Sequence, residues 1–155
     1  MIITHGEEKR KKMSNRQGIV IGDADALIAL YIKDDNLHQK IIALNKKFVE
    51  VNVRIIFPNT AIAESLTTLQ RKFSNATAAA LLHQHYKERR FEIVYIDEVM
   101  MRLAAEFYKP EGSKQNTFFD AIVAATAKHY KADAIFAFDS WYKKQGFQLA
   151  EVLIQ

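Results

Sequence analysis

The chain has 155 residues, 49% of them hydrophobic, with 22 Lys and Arg against 18 Asp and Glu, a net charge of +4 and no cysteine. That composition is that of one globular domain with a substantial core, and it excludes disorder, disulfides, Cys-ligated zinc, iron–sulfur clusters and thiol catalysis. No apolar run approaches the ~18 residues that span a bilayer, and MIITHGEEKRKKMSNRQ at the N-terminus has no apolar segment after its basic residues. Neither a membrane span nor an export signal is therefore expected, and the expected location is the cytoplasm.

The positive charge is concentrated. Residues 1–17 hold Lys9, Arg10, Lys11, Lys12 and Arg16 against Glu7 and Glu8, which leaves the rest of the chain at only +1. Residues 1–17 read as a flexible basic tail and 18–155 as a single domain. Nucleic-acid binding cannot be argued from net charge and needs a local patch. Met13 follows the basic run, and a start there would remove most of the excess.

From residue 18 short β-rich runs alternate with helical ones, the pattern of an α/β fold with a parallel sheet. Ile19-Val20-Ile21 is the first strand. Helices follow over 26–32 and 37–49, the second with Leu37, Ile41, Leu44 and Phe48 on one face. Arg54 to Phe57 is the second strand, stopped by Pro58. Asn59 or Thr60 caps a helix carrying Ile62, Leu66, Leu69 and Phe73, and Asn75 caps another through Leu82. Phe91 to Ile96 is the third strand, and Asp97 caps a helix through Val99, Leu103 and Phe107. Lys109 to Asn116 has the composition of a loop. Phe118 to Tyr130 is apolar on almost every side and so is expected to be the buried helix. Ala134 to Phe138 is the fourth strand, Ser140 to Lys144 a helical turn, and Phe147 to Leu149 a candidate fifth strand.

With five glycines, none in a GxGxxG or GxxxxGK[ST] arrangement, the nucleotide-phosphate motifs are missing. A serine nucleophile lacks its GxSxG elbow, and the five histidines fit no metalloprotease pattern. What remains is a set of carboxylates. Asp23 directly follows one apolar strand and Asp139 another, at the edge where parallel sheets place ligand sites. Asp120 is the only charge between Lys114 and Lys128, at the start of the buried helix. Singly, each is accounted for by helix capping, and Thr117 with Asp120 has capping-box spacing. Together they are acids that meet at one end of one sheet, where unpaired carboxylates repel unless a cation sits among them. Glu64 is the fourth candidate, on a stripe beside the apolar face of its helix.

These residues resemble a known family. Val20-Ile21-Gly22-Asp23-Ala24-Asp25-Ala26-Leu27-Ile28 is similar to the opening of a PIN domain, Pro58-Asn59-Thr60-Ala61-Ile62-Ala63-Glu64 to its second motif, Phe118-Phe119-Asp120-Ala121-Ile122 to its third, and Ala134 to Asp139 with Gly146-Phe147 to its last. The resemblance implies a three-layer α/β/α fold around a parallel sheet of four to five strands, and Asp23, Glu64, Asp120 and Asp139 as catalytic, metal-binding acids. Two departures stand out: Ala137 replaces the usual Thr, with Ser140 as a substitute hydroxyl, and Trp141 stands where a further acid often lies.

At this size the chain resembles the VapC-like toxin ribonucleases of toxin–antitoxin pairs. The resemblance implies an endoribonuclease dependent on Mg²⁺ or Mn²⁺, ions suited to carboxylate oxygens. Asp23, Asp120 and Asp139 would hold one ion, Glu64 a second ion or the attacking water, and Asp25 and Ser140 would support them. RNA is the expected partner, with Arg71 and Lys72 as phosphate contacts; a homodimer and an antitoxin protein are implied by the resemblance alone. Two alternatives stay open. Asp23-Ala24-Asp25 also matches the start of a haloacid-dehalogenase-like phosphatase, and a catalytically weak PIN scaffold could bind RNA or protein without cutting.

Overall fold

In chain order the elements are β1 (Ile19–Gly22), α1 (Ala24–Tyr31), α2 (His38–Glu50), β2 (Arg54–Pro58), α3 (Asn59–Arg71), α4 (Ala76–Lys87), β3 (Glu92–Val94), α5 (Glu98–Phe107), α6 (Phe118–His129), β4 (Ala134–Phe136) and α7 (Trp141–Lys144), closed by a 3₁₀ turn over Ala150–Ile154. They come from a computed structural model that describes residues 16–154. The strands form one sheet in the order β3-β2-β1-β4, and every pairing is parallel. All four strands therefore end at the same edge.

Side-chain alternation along the strands divides the core between two helical layers. Val20, Ala134 and Phe136 face α1 and α2, where Ala26, Ala29, Ile41, Leu44 and Phe48 cover them. Ile21, Ile56 and Ile135 face the opposite way, onto Val123, Ala124 and Ala127 of α6. A parallel sheet covered on both sides has strands that read as continuous apolar runs, as Ile19-Val20-Ile21 does. The helix expected to be buried is buried: residues 121–127 of α6 are all inaccessible. Smaller clusters pack α3 and α4 on Leu27 and Phe57, and Met100 and Ala104 of α5 on α6.

Gly22 is required by a close approach. A Cβ built there would lie 2.1 Å from Cε1 of Phe57, a ring itself held edge-on by Phe91 at 5.8 Å. The strand can pass Phe57 and deliver Asp23 to the edge only with hydrogen at this position.

Several boundaries differ from the sequence reading. The first helix begins at Ala24, because Asp23 itself caps it. Neither Asn59 nor Thr60 caps α3; Pro58 is the capping residue, and the Asn59 side chain instead accepts from the Ile96 N–H at 3.1 Å, tying α3 to the end of β3. Phe73 falls beyond α3 and is exposed, and Val99 points outward while Met100 and Ala104 carry the buried face of α5. Phe147–Leu149 contributes a single parallel bridge, Ile135 to Leu149, rather than a fifth strand. Of the basic N-terminal segment, residues 1–15 lie outside the described residues; Arg16 pairs with Asp133 at 2.7 Å and Gln17 donates to Asn52 at 2.8 Å, so both are engaged.

Candidate active site

The acids singled out in the sequence come together at the C-terminal edge of the sheet. Asp23 leaves β1 in extended conformation, its N–H bonded to the Phe136 carbonyl at 3.1 Å, and is 4% exposed. Its Oδ1 accepts from the Ala24 N–H at 2.6 Å, the helix-capping bond, while Oδ2 accepts from the Tyr142 hydroxyl at 2.7 Å. Asp120 divides its oxygens in the same way. Oδ2 closes the capping box with the Thr117 N–H at 2.5 Å, and Oδ1 lies inward, 3.4 Å from the Tyr142 hydroxyl. Capping and clustering are thus not rivals, because a carboxylate has an oxygen for each.

Asp139 follows β4 and is fixed by the Trp141 N–H at 2.8 Å and the Asn116 side-chain amide at 2.9 Å. Asp25, on the first turn of α1, accepts from the Phe138 N–H at 2.8 Å through Oδ2, while its Oδ1 is buried with no protein partner. Glu64 is half-buried on the second turn of α3. One turn earlier on the same face, Thr60 carries the other buried oxygen without a partner.

The charges of these groups act on one another. Burial pushes the Asp23 carboxyl well above the usual carboxylate range, and the charges of Asp25, Asp120 and Glu64 push it further, against the Tyr142 hydrogen bond. Burial raises Asp25 to about 6, with Asp139 and Asp120 adding to it and the Phe138 N–H opposing. Burial, then Asp120 and Asp25, raise Glu64 to about 7. Asp120 is raised by burial and by Asp139, with its Thr117 bonds acting the other way. Among the described residues, the charged neighbours that act most strongly on these four are other acids.

Such a set is unfavourable alone and favourable around a cation. The donors are all carboxylate oxygens, one of them buried and unpartnered, which is the chemistry of a hard divalent ion. Among the described residues no three acidic or imidazole groups stand at ligating spacing, and Asp23, Asp120 and Asp139 each accept hydrogen bonds from protein donors. The donor set fits a divalent cation; the side-chain rotamers are those of carboxylates satisfied by protein groups.

Other candidates lie elsewhere. The Ser140 side chain is exposed and makes no capping bond, whereas Asn116, from the polar loop before α6, donates to Asp139. Tyr142, a buried tyrosine three residues after Asp139, carries no sequence signal that separates it from core. Arg71 and Lys72 are exposed at the end of α3, outside the acid cluster, though Arg71, seven residues from Glu64, lies on the same helix face about 10 Å away along the axis. His38 and His85 bond to the Ala29 carbonyl and the Tyr31 hydroxyl, at 2.7 and 2.6 Å, and take no part in the site.

A parallel sheet covered by helices on both faces, with acids at its C-terminal edge, defines a three-layer α/β protein. The profile of the PIN domain family matches residues 20–147, and the chain belongs to that family. This removes the support for the haloacid-dehalogenase-like alternative. No curated protein sequence matches the chain significantly. Among solved structures the fold is similar to Mycobacterium tuberculosis VapC20, described as a sarcin–ricin loop cleaving toxin, with a TM-score of 0.68 and 18% identity over 83% of this chain and 95% of that one. No helix among the described residues is long and apolar enough to cross a membrane.

Proposed function

We propose that the protein is a divalent-metal-dependent endoribonuclease, hydrolysing RNA phosphodiester bonds as the toxin of a type II toxin–antitoxin pair. The observation that carries this reading is the group of carboxylates at the strand ends of a PIN domain, raised by burial and by one another's charge. Asp23, Asp120 and Asp139 would hold Mg²⁺ or Mn²⁺. A bound ion of this kind supplies Lewis-acid stabilisation of the phosphate and a more acidic water.

The chain's own groups do the rest. Asn116 and the Trp141 N–H orient Asp139, and Thr117 orients Asp120. Glu64, held near 7 in the metal-free protein, is poised to bind a second ion or to take a proton from water. Asp25 ties α1 to the Phe138 backbone beside Asp139. Arg71 and Lys72 are the proposed phosphate contacts. A homodimer, an antitoxin partner and a cytoplasmic location are proposed from the toxin likeness.

A second reading, a PIN scaffold that binds RNA without cutting, draws on the absence of three acids at ligating spacing among the described residues. One assay separates the two. The wild-type protein is incubated with structured RNAs, a sarcin–ricin loop oligonucleotide included because the structurally similar toxin is described as cleaving that loop, with Mn²⁺ or with EDTA. Cleavage that needs Mn²⁺ and falls by several orders of magnitude in Asp23→Asn supports the nuclease. RNA retention without cleavage supports the scaffold.

A further inference from the structure

Tyr142 stands on the four-residue α7 with its side chain fully buried (0% exposed) among Ile21, Val123 and Ala127, and edge-on to Trp141 at 5.2 Å. The ring alone would account for that packing. The hydroxyl is the unexplained part, since a buried polar group is unfavourable unless it is bonded, and a phenylalanine would fill the same space without it. What the hydroxyl reaches is Asp23 Oδ2 at 2.7 Å and Asp120 Oδ1 at 3.4 Å.

Those two acids arrive from different layers, Asp23 from the end of β1 and Asp120 from the start of α6, 97 residues apart. Each already uses its other oxygen for a helix cap. Asp139 has the Asn116 amide for its second oxygen. Asp23 has only one side-chain partner among the described residues, and that is Tyr142.

We propose that Tyr142 is a positioning residue for the metal site: its phenol donates its one proton to Asp23 and so fixes that carboxylate's inward oxygen, on the side where the Asp120 Oδ1 also lies. The inference rests on the nuclease reading and deepens it. Carboxylates that ligate metals are themselves held by outer hydrogen bonds, and loss of such a bond typically weakens metal affinity 10–100-fold.

The test is Mn²⁺ binding to metal-free full-length protein by isothermal titration calorimetry, for wild type, Tyr142→Phe, Asp23→Asn and the double variant, without RNA. Tyr142→Phe keeps the ring and is expected to bind Mn²⁺ roughly 10–100-fold more weakly, with little further loss when it is added to Asp23→Asn, because the two act through one bond. RNA cleavage by Tyr142→Phe should recover at saturating Mn²⁺. A purely structural hydroxyl would lower the melting temperature of the metal-free protein and leave Mn²⁺ affinity unchanged, which overturns the inference while the nuclease reading stands. Wild-type protein that binds no Mn²⁺ overturns both.

Discussion

Asp25→Asn is expected to stabilise the metal-free protein, increasingly as pH rises above about 4 and fully above about 6. The wild-type carboxyl moves from an ordinary 3.8 to about 6 on folding, chiefly through burial, so the folded state holds its proton more tightly than the unfolded chain does. Stability therefore falls as pH rises from about 4 to about 6 and stays lowered above that. At ~1.4 kcal/mol per pH unit the penalty is about 3 kcal/mol. Asparagine keeps an oxygen for the Phe138 N–H, carries no charge, and places an amide where Oδ1 now lies unpartnered among acids. Urea unfolding followed by the fluorescence of Trp141, the only tryptophan, should show the variant about 3 kcal/mol more stable at pH 8, roughly 6–12 °C in melting temperature, and equal to wild type near pH 3.5. Glu64, raised from 4.5 to about 7, adds to the wild-type slope in the same direction up to neutral pH. A flat wild-type profile between pH 4.5 and 7.5, or an asparagine variant less stable at pH 8, would show that the acids do not form the repelling cluster described here.

Gly22→Ala should lower stability by about 1–3 kcal/mol, measured by urea unfolding, because its Cβ would meet Phe57 at 2.1 Å; a neutral substitution would mean that Phe57 swings aside freely. Replacing Arg71 and Lys72 together by Ala should weaken RNA binding and reduce its salt dependence by about 0.7 for each phosphate no longer neutralised, with Mn²⁺ affinity unchanged. An unaltered salt slope would remove both residues from the RNA path.

The parallel sheet was legible because its strands are continuous apolar runs closed by Asp23, Pro58 and Asp139. The buried helix was legible for the same reason, since seven consecutive residues of α6 are small or apolar apart from Thr126, whose hydroxyl bonds back to the Ile122 carbonyl at 2.7 Å. Helix faces decided by tertiary packing were not legible. In α5 both Val99 and Met100 suit a core, and only the approach of α6 selects Met100. Asn59 looked like a cap by type, yet the chain leaves β2 through Pro58 and spends the Asn59 oxygen on β3.

The acids were found because a carboxylate ending an apolar strand is conspicuous, whereas the groups that hold them look ordinary. Asn116 is the clearest case. It ends a polar loop, beside the Thr117 cap, and nothing in its neighbours marks it; yet its amide crosses 23 positions to Asp139 at 2.9 Å. A carboxylate only accepts, so the amide must present its N–H₂, and the bond is charge-assisted. Asn116→Ala should therefore loosen Asp139, which keeps the Trp141 N–H, and weaken Mn²⁺ binding by roughly tenfold or more. Asn116→Asp is nearly isosteric but sets a further negative charge against Asp139, so it should weaken binding below neutral pH less than above it, as the added acid ionises. If Asp were tolerated better than Ala at pH 8, shape rather than donation would be what Asn116 provides, and Asp139 would need no partner from the loop.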